Sequence, residues 1–122
     1  MKLLLDSQCR LWWFSLPEML NDEAIERIAL ESNEVWFSVA SVWEIGIKVA
    51  IGKLQLPEPI ENYISTCMTQ LDARMLEITA FHALRAASLP LHHRDPFDRM
   101  LISQADIENM TIVTADSMFY QY

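Results

Sequence analysis

A chain of 122 residues that is 52% hydrophobic, with two glycines and five prolines, can build one core but not two, and that composition excludes a disordered or collagen-like chain. Nine basic residues against seventeen acidic ones give a formal net charge of -8, the reverse of the clustered Lys and Arg on which nonspecific nucleic-acid binding relies. Four carboxylates neutralised by two divalent cations would bring the total to about -4, and an acidic surface equally suits a basic protein partner.

In chain order, Lys2 to Leu5 is a short apolar run that stops at an acid and predicts a buried strand with Asp6 at its C-terminal end. The run is far shorter than a signal-peptide core and no later one approaches a membrane span, so a soluble, cytoplasmic protein without membrane contact is expected. Cys9 and Cys67 stand far apart without paired spacing, as in a reducing cytosol, and read as buried thiols. Leu11 to Phe14 predicts the first turns of a helix. Asp22 to Leu30 predicts another, with Ala24, Ile25, Ile28 and Ala29 at helical spacing. Val35 to Val39, β-branched and aromatic, predicts a second strand, and Ser38 or Ser41 then caps a helix running to Gly52, with Glu44 in its early part.

Pro57 and Pro59 mark a turn before a helix through Leu71. Met75 to Ile78 predicts a short strand, Ala80 to Ala87 a helix and Leu89 to Pro96 a loop. Asp95-Pro96 opens a helix through Ile107 whose buried stripe is Met100, Leu101, Ala105 and Ile107. Thr111 to Thr114 predicts the last clear strand, with Asp116 just beyond. No repeat or linker divides the pattern, so one domain spanning residues 1–122 is expected. Alternating strands and helices predict an α/β fold, a three-layer α/β/α sandwich around a parallel sheet of four or five strands.

Ligands of such sheets bind outside the C-terminal strand ends. Asp6 and Asp116 fall at such ends, and Glu44 and Asp98 lie near the starts of helices on the same side. Four converging carboxylates repel one another, so the cluster must raise some of its pKa values or recruit cations. A hard ion such as Mg2+ takes oxygen ligands and keeps waters, which favours phosphoryl chemistry. Each acid also has a plainer reading: Asp6 as a helix cap, Glu44 as the i,i+4 partner of Lys48, Asp98 as a first-turn acid facing the helix dipole, Asp116 as an N-cap. The joint placement, not any single acid, points to a metal site.

Several stretches then resemble the PIN-domain family, and within it the VapC-type toxins of type II toxin-antitoxin pairs. They are Met1 to Asp6 with Leu11-Trp12-Trp13, Ser38 to Lys48, Gly52 to Pro57, Leu89 to Ala105, and Val113-Thr-Ala-Asp116. The resemblance implies endonucleolytic cleavage of RNA with Mg2+ or Mn2+, restraint by a cognate antitoxin protein, and a homodimer. It implies Asp6 and Asp98 as direct metal ligands, with Glu44 and Asp116 completing the shell directly or through water. Asp95, one turn before Asp98, either joins them or holds the loop open. This chain has Ser7-Gln8 where the family often has Thr-His, which bears on rate or substrate preference, and it ends at Phe119-Tyr-Gln-Tyr122, so a fifth strand is expected to be short or missing.

Ser7, Lys48, Arg94 and Arg99 are candidate contacts to substrate, the arginines because they flank the acidic motif. His92 and His93 lack a third soft ligand at suitable spacing and read as loop residues. Trp12, Trp13 and Phe14 cannot all face inward on one helix, so one is expected to meet an antitoxin helix or a second copy. A phosphatase of the haloacid-dehalogenase kind would need Asp where Gln8 stands, and a receiver domain would need a mid-chain phospho-accepting Asp. The remaining alternative is a PIN-like scaffold that binds protein or RNA without cutting.

Overall fold

The structure, a computed structural model, describes residues 1–6, 26, 28–90, 95–113 and 119–121. In chain order its elements are β1 (Lys2–Leu5), β2 (Glu34–Ser38), α1 (Val39–Ala50), α2 (Ile60–Gln70), β3 (Arg74–Leu76), α3 (Ala80–Ser88), α4 (Pro96–Glu108), β4 (Thr111–Val113) and β5 (Phe119–Gln121). Glu26, Ile28 and Ala29 are also helical. The sheet runs β3-β2-β1-β4-β5, the first four strands parallel and β5 antiparallel to β4.

The leucine run of β1 is unbroken because both faces of the sheet are covered. Leu3 and Leu5 share one face with Val35, Phe37 and Val113, packed against Ile28 and, less deeply, Met68 and Leu71. Leu4 turns the other way, with Ile112, to meet Leu101, Ile102 and Ala105 of α4. All three leucines are 0% exposed. The expected three-layer α/β/α sandwich is therefore the observed one. The fifth strand is present and short, three residues paired Thr111 to Gln121, Ile112 to Tyr120 and Val113 to Phe119.

The differences from the sequence expectation sit mostly at element ends. β2 stops at Ser38, whose Oγ accepts the Ala40 amide at 3.0 Å, so Val39 begins α1 instead of ending the strand. α1 ends at Ala50, and Gly52 lies beyond it with a φ of 77°. β3 is Arg74–Leu76 instead of Met75 to Ile78. In α4 the expected Ile107 is exposed, while Ile102, Ser103 and Gln104 are buried beside Leu101 and Ala105. Position 107 lies roughly 200° around the helix from 105, which turns it away from the sheet. Cys67 is a buried free thiol, as expected. The expected helix at Leu11 to Phe14, most of that at Asp22 to Leu30, Cys9, Trp12, Trp13, His92 and His93 lie outside the described residues.

Candidate functional site

The chain moves outward from β1 to β2 and β3, then returns to the other flank of β1 as β4. Connections diverge between β1 and β4, and such divergence opens a crevice at the C-terminal strand ends. Asp6 is the first residue past β1. Its amide donates to the carbonyl of Val113 at 3.2 Å, tying it to the end of β4, and it is half-buried.

Asp98 stands in the first turn of α4. α4 leads into β4 and so runs against the strands, starting where they end. Leu101, Ile102 and Ala105 pack on Leu4 and Ile112, and Asp98, one turn earlier on that stripe, projects beyond them and is exposed. The helix start is set by Pro96 at its first turn and by Asp95 as N-cap, whose Oδ1 accepts the amides of Phe97 at 2.8 Å and Asp98 at 3.4 Å. That cap is the observed role of Asp95.

Glu44 stands in the second turn of α1, with its side chain 17% exposed and bridged at 3.2 Å by the more exposed Lys48. α1 packs against α4, and Trp43 meets Phe97 edge-on, ring centroids 5.4 Å apart at 75°. Between them runs an open groove of about 530 Å3 lined by Glu44, Lys48, Lys53, Asp95, Pro96 and Phe97, among others. Glu44 and the start of α4 therefore share one depression. Asp116, Ser7 and Arg94 lie outside the described residues.

Two residues have roles that sequence reasoning did not assign. Arg99, a candidate phosphate contact, donates to the carbonyls of Ala86 at 2.7 Å, Leu89 at 2.8 Å and Pro90 at 3.0 Å, with Ala87 at 3.4 Å. Nη2 thus adds to the capping of the α3 carbonyl end, where the Leu89 amide also reaches Ala86 O at 3.4 Å, and Nη1 holds the Pro90 carbonyl just beyond it. The observed geometry makes Arg99 a tie between α3 and the turn that carries Asp98. His82, wholly buried, completes a capping box with Thr79: its Nδ1 accepts the Thr79 amide at 3.0 Å, while Thr79 Oγ1 accepts the His82 amide at 3.2 Å. With Nδ1 an acceptor, Nε2 carries the proton and donates to Glu108 Oε2 at 2.9 Å. Ser103 Oγ donates to the His82 carbonyl at 2.7 Å. The Thr79-x-x-His82 spacing could have signalled the cap. Nothing local could have signalled Glu108.

A family model described as PIN domain matches residues 3–122. The chain belongs to the PIN-domain family. Comparison with curated proteins finds no match. PIN domains have a nuclease fold and typically bind divalent metals. In this PIN domain no group of three His, Cys, Asp or Glu that could hold a metal forms among the described residues, which do not include Asp116. The donor chemistry does fit such an ion: Asp6, Glu44 and Asp98 offer only hard carboxylate oxygens, suited to Mg2+ or Mn2+ and unlike the sulfur and imidazole set of zinc. No helix among the described residues of the PIN domain is long and apolar enough to cross a membrane.

Proposed function

We propose that this PIN domain is a metal-dependent endoribonuclease, the toxin of a type II toxin-antitoxin pair of the VapC type. The observation that supports the nuclease reading is Asp6 just past β1, tied to the end of β4, in a chain whose α4, with Asp98 in its first turn, leads into that same β4. In this reading Asp6 and Asp98 supply direct oxygens to Mg2+ or Mn2+, and Glu44 and Asp116 complete the set directly or through water. Such an ion, when bound, supplies a water of lowered pKa and offsets charge on the phosphodiester. The chain's own part is positional. The β1-β4 ladder fixes Asp6, Asp95 and Pro96 fix the turn carrying Asp98, and Lys48 holds the Glu44 carboxylate. Lys48, Ser7 and Arg94 are the proposed contacts to RNA.

The toxin role, a cognate antitoxin, a homodimer and a cytoplasmic location rest on the resemblance of Ser38 to Lys48 and Leu89 to Ala105 to VapC-type sequences. Exposed Phe81 and Leu84 on α3, at 75% and 70%, suit protein contact. The test is cleavage of RNA with Mg2+ or Mn2+, with EDTA and Asp6→Asn as controls, beside growth on induction of each form. We expect cutting and growth arrest that Asp6→Asn abolishes. Cutting that survives Asp6→Asn sinks the assignment. No cutting with either metal favours the silent scaffold, a reading supported by Gln8 in place of a family histidine and by the net charge of -8.

A further inference from the structure

The groove between α1 and α4 is built unlike a protein-docking face. Its lining includes Glu44, Lys48, Lys53 and Asp95 among apolar Ile47 and Phe97, whereas the centre of a protein interface is depleted in Lys, Glu and Asp. Glu44 is answered by Lys48, and Asp95 Oδ1 faces the first amides of α4. Lys53 has no ion-pair partner among the described residues. An apolar floor beside an unpaired cation is the arrangement that accepts a base and its phosphate together.

Trp43 supplies the stacking surface. It meets Phe97 with ring centroids 5.4 Å apart at 75° and remains 64% exposed, which leaves indole surface available to a base. Trp43 is not itself in the groove lining, but its ring partner Phe97 lines the groove together with Glu44, so what stacks on the indole lies at the rim of the groove that holds that candidate carboxylate. The volume of about 530 Å3 is within the range of small-ligand sites and is open at the surface, as passage of a chain requires.

The geometry points to a nucleobase subsite: Trp43, steadied by Phe97, stacks a base of single-stranded RNA next to the scissile phosphate while Lys53 takes a neighbouring phosphate. The subsite rests on the ribonuclease reading for the position of the scissile bond. Its recognition chemistry is stacking, tolerant of base identity, and selective for unpaired over duplex RNA because a base must be splayed out to reach the indole.

The test is equilibrium binding of a fluorescein-labelled, mixed-sequence single-stranded RNA of about 12 nucleotides to the full chain in EDTA, read by anisotropy, with the same sequence as a duplex for comparison. Trp43→Ala should weaken single-strand binding roughly tenfold or more and Trp43→Phe should restore most of it. Lys53→Ala should flatten the dependence of log Kd on log salt by about 0.7, the share of one phosphate on a single strand. Circular dichroism confirms that each variant is folded. Failure of the wild type to prefer single-stranded RNA overturns the subsite, as does an unchanged affinity in Trp43→Ala. Should that variant instead lose self-association in sedimentation with its RNA affinity intact, the face belongs to a second copy of the chain. Because the readout is binding without metal, the two readings separate. Trp43-dependent binding by a chain that never cuts upholds the subsite alone, and Asp6-dependent cutting with Trp43-independent binding upholds the nuclease alone.

Discussion

Replacing Arg99 by alanine should cost the fold more than its partial exposure suggests. Two of its hydrogen bonds are short and part-buried, to Ala86 O at 2.7 Å and Leu89 O at 2.8 Å, and a third reaches the exposed Pro90 O at 3.0 Å. The 3.4 Å approach to Ala87 O counts for little. A hydrogen bond from a charged donor is worth about 1.5–3 kcal/mol when buried. Discounting for solvent access leaves roughly 1 kcal/mol for each short bond and a few tenths for the third, about 2–3 kcal/mol in all. For a chain of this size that lowers Tm by about 8–12 °C. Arg99→Lys keeps the charge but not the fork, and should recover less than half. Urea denaturation followed by circular dichroism measures both variants. If Arg99→Ala lies within about 0.5 kcal/mol of the wild type, water replaces the guanidinium at those carbonyls without penalty and the tie contributes nothing.

Asp98→Asn should leave the fold unchanged, since the side chain is exposed, yet lower metal-dependent RNA cleavage by more than the roughly 10–100-fold that loss of an outer-sphere partner costs; single-turnover kinetics over a Mg2+ titration reads this. His82→Leu fills the same space but strands the Thr79 amide and removes the proton shared with Glu108, a loss of about 2–3 kcal/mol in urea denaturation. Gly52→Ala meets no atom within 4 Å of the new Cβ, so only its φ of 77° opposes it, and the expected loss is about 1 kcal/mol. A Tm unchanged by Gly52→Ala contradicts the left-handed turn.

The parts of the fold that depend on near neighbours were legible in the sequence. Leu3, Leu4 and Leu5 read as a strand covered on both faces, and the pattern alone put Asp6 just past that strand and Asp98 near the start of a helix. Element ends were less so. Val39 favours a strand by its branching, but the bond from Ser38 Oγ to the Ala40 amide turns the chain one residue sooner. What stayed hidden spans distance. Arg99 beside an acidic motif suggests phosphate binding, and only the return of α3 over α4 supplies the carbonyls that take it. His82 likewise needs Glu108, and Gln104, polar yet wholly buried, donates to Glu77 O at 3.3 Å across 27 positions. Three-residue β5 is too short to show a period.

The sheet's outer strand on the β2 side has a consequence for solubility. β3 is three residues long and pairs only with β2 among the described strands, so its other side offers little backbone to an incoming chain. Arg74 leans back over β2, paired with Glu34 at 3.3 Å and set 5.7 Å from the centre of the Trp36 ring, so its charge is already answered within the sheet. A strand added from another molecule would gain few ladder bonds, and that brevity guards this margin against runaway edge-to-edge assembly.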